Sequence, residues 1–119
     1  MKPETKEWLK QAQKDIEAAK YNLEGSHINV AAFLSQQAAE KALKAFQIEK
    51  TSTFDKTHDL YFLAKKLNIP NNLKEHCEEL SEYYLQTRYP DIEGKLTYEN
   101  INKTLTKSME IIKWIKENL

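Results

Sequence analysis

The stretch VAAFLSQQAAEKALKAFQIEK, residues 30 to 50, decides how the rest of the chain folds. At 100° per residue, Ala31, Ser35, Ala38, Ala42 and Ala45 recur at spacings of four, three, four and three, drawing a stripe of small side chains down one side of a helix. Such a stripe lets a second helix approach closely. Val30, Leu34 and Ile48 flank it on one side and Ala39, Leu43 and Phe46 on the other, so well over half the circumference is apolar or small. That pattern belongs to a central helix, because one face in water would strand too much apolar surface. Only Asn29, Gln36, Glu40, Lys44 and Gln47 form a polar arc, while Gln37 and Lys41 stand at the border of the Val30 flank, where apolar residues are expected.

Outward from this helix, the Gly and Pro residues punctuate the chain. Gly25, Pro70, Pro90 and Gly94 fall between periodic segments, and Pro3 sits where a first helical turn tolerates it. A first helix is predicted from about Pro3 to Leu23, burying Trp8, Ala12, Ile16, Ala19 and Leu23 and stopped by Gly25; the central helix starts near Ser26 to Asn29. After Lys50 the run TSTFDKT has no period and reads as a loop pinned by Phe54. Thr57 is the expected N-cap of a short third helix carrying Leu60, Leu63, Ala64 and Leu67 inward. A fourth helix begins at an Asn71-Asn72 cap and places Leu73, Cys77, Leu80 and Tyr84 on a stripe that reaches Arg88. RYPDIEGKLT is a turn, and Thr97 with Asn100 opens a fifth helix whose inward stripe is Ile101, Leu105, Ser108, Ile112, Ile115 and Leu119, with Ile111 and Trp114 as a second apolar edge. The expected fold is all-α: one domain over residues 1–119, an up-and-down four-helix bundle with an additional short helix.

Composition sets limits on function. At 119 residues the chain buries roughly two-thirds of its unfolded surface as a single domain. Cys77 is the only cysteine, so neither an internal disulfide nor a cysteine-rich zinc site is expected. A mean hydropathy of −0.74 and the absence of an export-like N-terminal run give the expectation of a cytoplasmic protein with no membrane span. Eighteen basic and eighteen acidic residues cancel, which excludes an extensive nucleic-acid surface and leaves room for a small local anion site. Of the eighteen basic residues only Arg88 is arginine, the one side chain with a bidentate fork.

Antiparallel neighbours gather the C-terminal turns of helices two and four and the N-terminal turns of three and five at one end. Lys41, Lys44, His58, Arg88, Tyr89 and Asp91 are expected there, and two helix N-termini beside Lys44, Arg88 and His58 make a candidate phosphate-sized site. The alternatives are structural: Arg88 pairs with Asp91 or caps helix four, His58 is a solvated first-turn residue, and Gln37 and Lys41 lay their stems along apolar surface. Tyr83, Tyr84 and Tyr89 are either stacking groups or core. His27 and His76 lack partners at metal-ligand spacing, and Cys77 is placed as a small core residue. No Gly-rich phosphate loop, nucleophile elbow or paired-carboxylate motif is present.

Trp8 with Ala12, Asp15 and Ile16, QQAAEKALKA at 36 to 45, HDL at 58 to 60 and RYPD at 88 to 91 together resemble a HEPN domain across nearly the whole chain. The resemblance implies a small helical bundle, commonly dimeric. It also implies a stand-alone prokaryotic type that accompanies a minimal nucleotidyltransferase in two-gene modules of toxin-antitoxin kind, with nucleotide binding proposed for the class. Many HEPN proteins are metal-independent ribonucleases that use an Arg followed, after four to six residues, by a His. Arg88 has no His after it, so that pair does not carry over. Gln36, Gln37, Glu40, Lys41, Lys44, His58, Arg88, Tyr89, Pro90 and Asp91 do. The expectation is therefore a non-enzymatic nucleotide- or phosphate-binding module, homodimeric, with no catalytic residues, metal or cofactor, and a nucleotidyltransferase as partner. Its ligand-binding residues are Gln37, Lys41, Lys44, His58, Arg88, Tyr89 and Asp91. The alternatives are a ribonuclease lacking the usual pair and a purely structural dimerisation bundle. For the dimer contact, two faces qualify: Ala39, Leu43 and Phe46 of helix two, or Ile111 and Trp114 of helix five.

Overall fold

The computed structural model describes residues 1–88, with the backbone alone over 85–88, and residues 96–119. Its helices are α1 (Pro3–Glu24), α2 (Ile28–Thr51), α3 (Leu60–Lys66), α4 (Asn71–Arg88) and α5 (Tyr98–Glu117). The 24 residues of α2 span about 36 Å at 1.5 Å per residue, which matches the 37 Å long axis of the molecule. It touches α1, α3, α4 and α5, so the small-residue stripe does mark the central element. No helix among the described residues is long and apolar enough to cross a membrane.

The stripe works by close approach. Ala31, Ser35, Ala38, Ala42 and Ala45 are all fully buried, and at Ser35 the neighbouring α5 comes near enough for Ser108 Oγ to donate to the Ser35 carbonyl at 2.7 Å. Around them Leu9, Ile16 and Leu23 of α1, Leu60 and Leu63 of α3, Leu73 and Leu80 of α4, and Ile101 and Ile115 of α5 fill the core. Each buried Leu or Ile contributes about 1.5–3 kcal/mol of transfer free energy, so the apolar stripes fix which face of every helix points inward.

The helix ends match expectation at Gly25 and Thr97 and differ at the starts of α3 and α4. Helix α1 ends at Glu24 with Gly25 as its cap, but the left-handed residue is Ser26, at φ 65°, which lets the His27 N–H reach the Asn22 carbonyl at 2.8 Å. Asp59, not Thr57, caps α3 by accepting from the Phe62 N–H; Thr57 Oγ1 instead accepts from the Asp59 N–H, just ahead of the helix. Helix α4 starts at Asn71 with the Pro70 carbonyl accepting from Leu73 and Lys74, so no asparagine side chain is needed as cap. The Thr97 cap of α5 is as expected, accepting from Asn100 N–H at 3.1 Å.

The two faces considered for a dimer contact close on each other inside one chain. Ala39, Leu43 and Ile111 are fully buried, and Phe46 lies 5.5 Å from Trp114, centroid to centroid. Among the described residues, the N-terminal half of α2 leaves Val30 exposed and Leu34 half-buried.

Residues 52–59 fold back along α2 rather than bridging its end. Asp55 meets Gln47 twice, its N–H donating to Gln47 Oε1 at 3.0 Å and its carboxylate accepting from Gln47 Nε2 at 2.8 Å, while Lys66 holds the same carboxylate at 2.7 Å. Three residues on, His58 meets Glu40, seven positions back along α2. Three extended residues and seven helical ones both cover about 10 Å, so the segment runs antiparallel to the helix at matched reach. Phe54 anchors it edge-on against Trp8 of α1, 5.0 Å between centroids.

Two outcomes follow from this packing. Ser108→Ala removes one hydrogen bond and lowers stability by about 1 kcal/mol, whereas Ser108→Val also forces α5 off α2 and costs about 1–3 kcal/mol more, measured by urea unfolding. The bonds from Lys66 and then Gln47 hold the Asp55 carboxyl below its ordinary value of 3.8. A lowered folded value contributes stability that is fully present above the ordinary one and lost as pH falls through the folded one. Acid titration of unfolding midpoints therefore shows a steeper fall for the wild type than for Asp55→Asn in that window; parallel curves would remove Asp55 from the fastening of this segment.

Candidate functional site

The polar arc of α2 is where structure and sequence diverge most. Gln36 is fully buried, and Gln47, Glu40 and Lys44 are 3, 4 and 5% exposed, because the returning 52–59 segment, α3 and α4 cover that side. Gln37 and Lys41, the two residues that looked misplaced, are only half-buried. Burying such a row is tolerable only if every group is matched, since an unpaired buried charge is far more destabilising than a paired one.

Glu40 organises the matching. Its Oε2 takes the Lys44 ammonium at 3.0 Å, one helical turn on, and its Oε1 takes Gln36 Nε2 at 3.2 Å and His58 Nδ1 at 2.9 Å. Gln37 Nε2 donates to Gln36 Oε1 at 2.6 Å and so closes the row toward solvent. The acidic residue precedes the basic one at i,i+4, the favoured order on a helix. Lys44 also lies 5.6 Å from the centre of the Phe54 ring, which covers it.

His58 is the exposed member. It lies just ahead of α3, whose start is tied to α4 by the Leu60 N–H donating to Ser81 Oγ at 2.9 Å. One turn further along α4, Tyr84 stacks on the imidazole at 4.5 Å between centroids and 16° between planes. The ring is thus held at one edge by a buried carboxylate and at one face by an aromatic, with half its side chain in solvent. A carboxylate-oriented imidazole of this kind is suited to accepting or donating a proton, to hydrogen bonding a ligand, and to stacking.

The expected residues are distributed as follows. Lys44 and His58 meet through Glu40, with Gln37 at the rim. Lys41 is turned away to Asp15 of α1 at 2.8 Å, because the three residue steps from position 41 to 44 turn the helix by about 300°, a net offset of about 60° that is enough to change neighbour. Arg88 is the last residue of α4, and its side chain, with Tyr89, Pro90 and Asp91, lies outside the described residues. The junction sits at the middle of α2, not at the bundle's end: Glu40 is twelve residues from Ile28, about 18 Å along the axis. Antiparallel topology alone predicts an end cluster; a loop that doubles back moves it to mid-helix.

Gln36, Glu40 and Tyr84 complete the site and were not among the predicted ligand residues. For the first two a signal exists in QQAAEKALK: carboxamide, carboxylate and ammonium at four-residue spacing satisfy one another in a way a solvated arc does not require. Burial pushes the Cys77 thiol up to about 12, in keeping with a core residue, and His76 pairs with Glu110 of α5 at 2.8 Å.

With this geometry in hand, comparison with known proteins is specific. The model of the HEPN domain family matches residues 5–119. Among solved structures the chain is similar to TT1696 from Thermus thermophilus, at 29% identity and a TM-score of 0.90, covering 97% of this chain and 98% of that one. It is also similar to ST0689, an archaeal HEPN homologue, at 29% identity and TM-score 0.82 over 99% and 98% of the two chains. A third likeness is to a HEPN domain protein, tm0613, from Thermotoga maritima, at 26% identity and TM-score 0.74 over 93% and 95%. No curated protein matches the chain in sequence. With a family model spanning all but its first four residues, and a bundle superposable on HEPN proteins over nearly their whole length, the chain belongs to the HEPN domain family.

Proposed function

We propose that this HEPN domain is a non-enzymatic nucleotide-binding module, acting as the partner of a minimal nucleotidyltransferase in a pair of toxin-antitoxin type. The observation that carries the proposal is His58, fixed by Glu40 and Tyr84 and half-exposed, above a buried polar row that holds it. Arg88, four residues beyond Tyr84 on α4 and the chain's one arginine, is proposed to add a charged fork for phosphate. The lack of an Arg/His ribonuclease pair favours a binding role over catalysis. A homodimer belongs to the same proposal, with the exposed Val30 and half-buried Leu34 of α2 in the contact, since the other two apolar faces are used internally.

A ribonuclease is the second reading, favoured by one observation: a carboxylate 2.9 Å from an imidazole is the arrangement a general base needs. The two separate in one experiment. Calorimetric titration of ATP, GTP, CTP and UTP is expected to show binding that His58→Ala weakens by roughly tenfold or more, the scale of losing an aromatic stack, while RNA incubated with the protein in chelator stays intact. RNA cleavage that disappears in His58→Ala would support the enzyme instead, and unchanged nucleotide affinity in that variant would remove His58 from the binding site.

A further inference from the structure

Which part of a nucleotide meets His58 follows from the tautomer its neighbours impose. An ionised carboxylate only accepts hydrogen bonds, and Glu40 has its Oε2 on Lys44 and its Oε1 on Gln36 Nε2 and His58 Nδ1. The proton of the 2.9 Å contact therefore sits on Nδ1, and in the neutral ring the lone pair is on Nε2. Nε2 has no partner among the described residues, on a side chain half in solvent.

Charge points the same way. Lys44 is no spare cation: its ammonium is buried and spent on Glu40, so the pair sums to zero. Lys41 is held by Asp15 on the α1 side. Among the described residues, Glu40 from α2 and Tyr84 from α4 are the titratable groups in contact with His58; Lys44 stands behind Glu40, and Asp59, next in the chain, is engaged as the α3 cap. At Nε2 the described contacts thus leave an acceptor edge beside an aromatic stack, above a Glu40–Lys44 pair whose charges cancel. A phosphate oxygen brought to it would set acceptor against acceptor.

The geometry points to a nucleoside-reading site, in which His58 Nε2 accepts a hydrogen bond from a hydroxyl or amino group of the nucleoside moiety and the phosphate lies elsewhere. This rests on the nucleotide-binding proposal and adds the chemical group that the site selects. It differs from an anion site built on Lys44 and protonated His58, which would bind inorganic phosphate by itself.

Two measurements test it. Long-range 1H–15N spectra of the wild-type imidazoles give the tautomer directly, with no ligand and no variant: the expected result for neutral His58 is a proton on Nδ1. At a pH where those spectra show the ring neutral, adenosine, guanosine, cytidine, uridine and inorganic phosphate are titrated separately. At least one nucleoside is expected to bind and phosphate not to displace it. His58→Phe, which keeps a ring on Tyr84 but removes the acceptor, lowers nucleoside affinity roughly three- to tenfold. A proton on Nε2, or binding of phosphate and nucleotides without any nucleoside, overturns the inference and leaves nucleotide binding standing. Failure of nucleosides and nucleotides alike overturns both.

Discussion

A carboxylate that is 4% exposed must be matched donor by donor, and the Glu40 carboxylate is: an ammonium on one oxygen, a carboxamide and an imidazole on the other. The three donors come from α2 itself and from the segment that returns along it, so the contact fixes the path of residues 52–59 and the orientation of His58 at once. Apolar packing alone would assemble the same five helices, because the Leu and Ile stripes specify their faces. It would not specify where the polar segment lies or which edge of the imidazole is presented.

The segment over the row is fastened mainly by polar contacts. Asp55 to Gln47 and Lys66, and His58 to Glu40, carry most of the attachment, while Phe54, its one large apolar side chain, is 36% exposed even against Trp8. Such an element buries little apolar surface and belongs to the low-stability end of a fold's local openings. The site is therefore built from a rigid half, the helices α2 and α4, and a half whose position depends on a few side-chain bonds. A ligand bound at His58, as proposed, would add to those bonds and steady the segment.

Most of the fold was legible because the information was periodic. Ala12, Ile16, Ala19 and Leu23 in α1, Leu73, Cys77 and Leu80 in α4, and Ile101, Leu105, Ser108, Ile112 and Ile115 in α5 are buried as their spacing implies. Where one carbonyl or hydroxyl competes with another, the sequence is ambiguous: Asp59 and Thr57 are both cap residues two apart, and only the path of the chain selects Asp59. The site was half legible. Lys44 and His58 stand out in the sequence, but by hydropathy Glu40 reads as part of a polar arc, since hydropathy does not distinguish a solvated carboxylate from a buried one shared by three donors. Tyr84 was legible as inward-facing but not as the partner of His58, because that contact depends on where a non-periodic segment lies.

The central claim is that Glu40 and His58 act as one unit, and a double-mutant cycle measures it most directly. Glu40→Gln, His58→Ala and the combination are compared with wild type by urea unfolding, the isosteric Gln keeping the volume of the buried side chain. Coupling of about 1 kcal/mol is expected, the scale of a hydrogen bond to a charged group whose other partner is half-exposed. Additive losses, with coupling below about 0.3 kcal/mol, would show that the two residues are independent and that the site is not organised by the buried carboxylate.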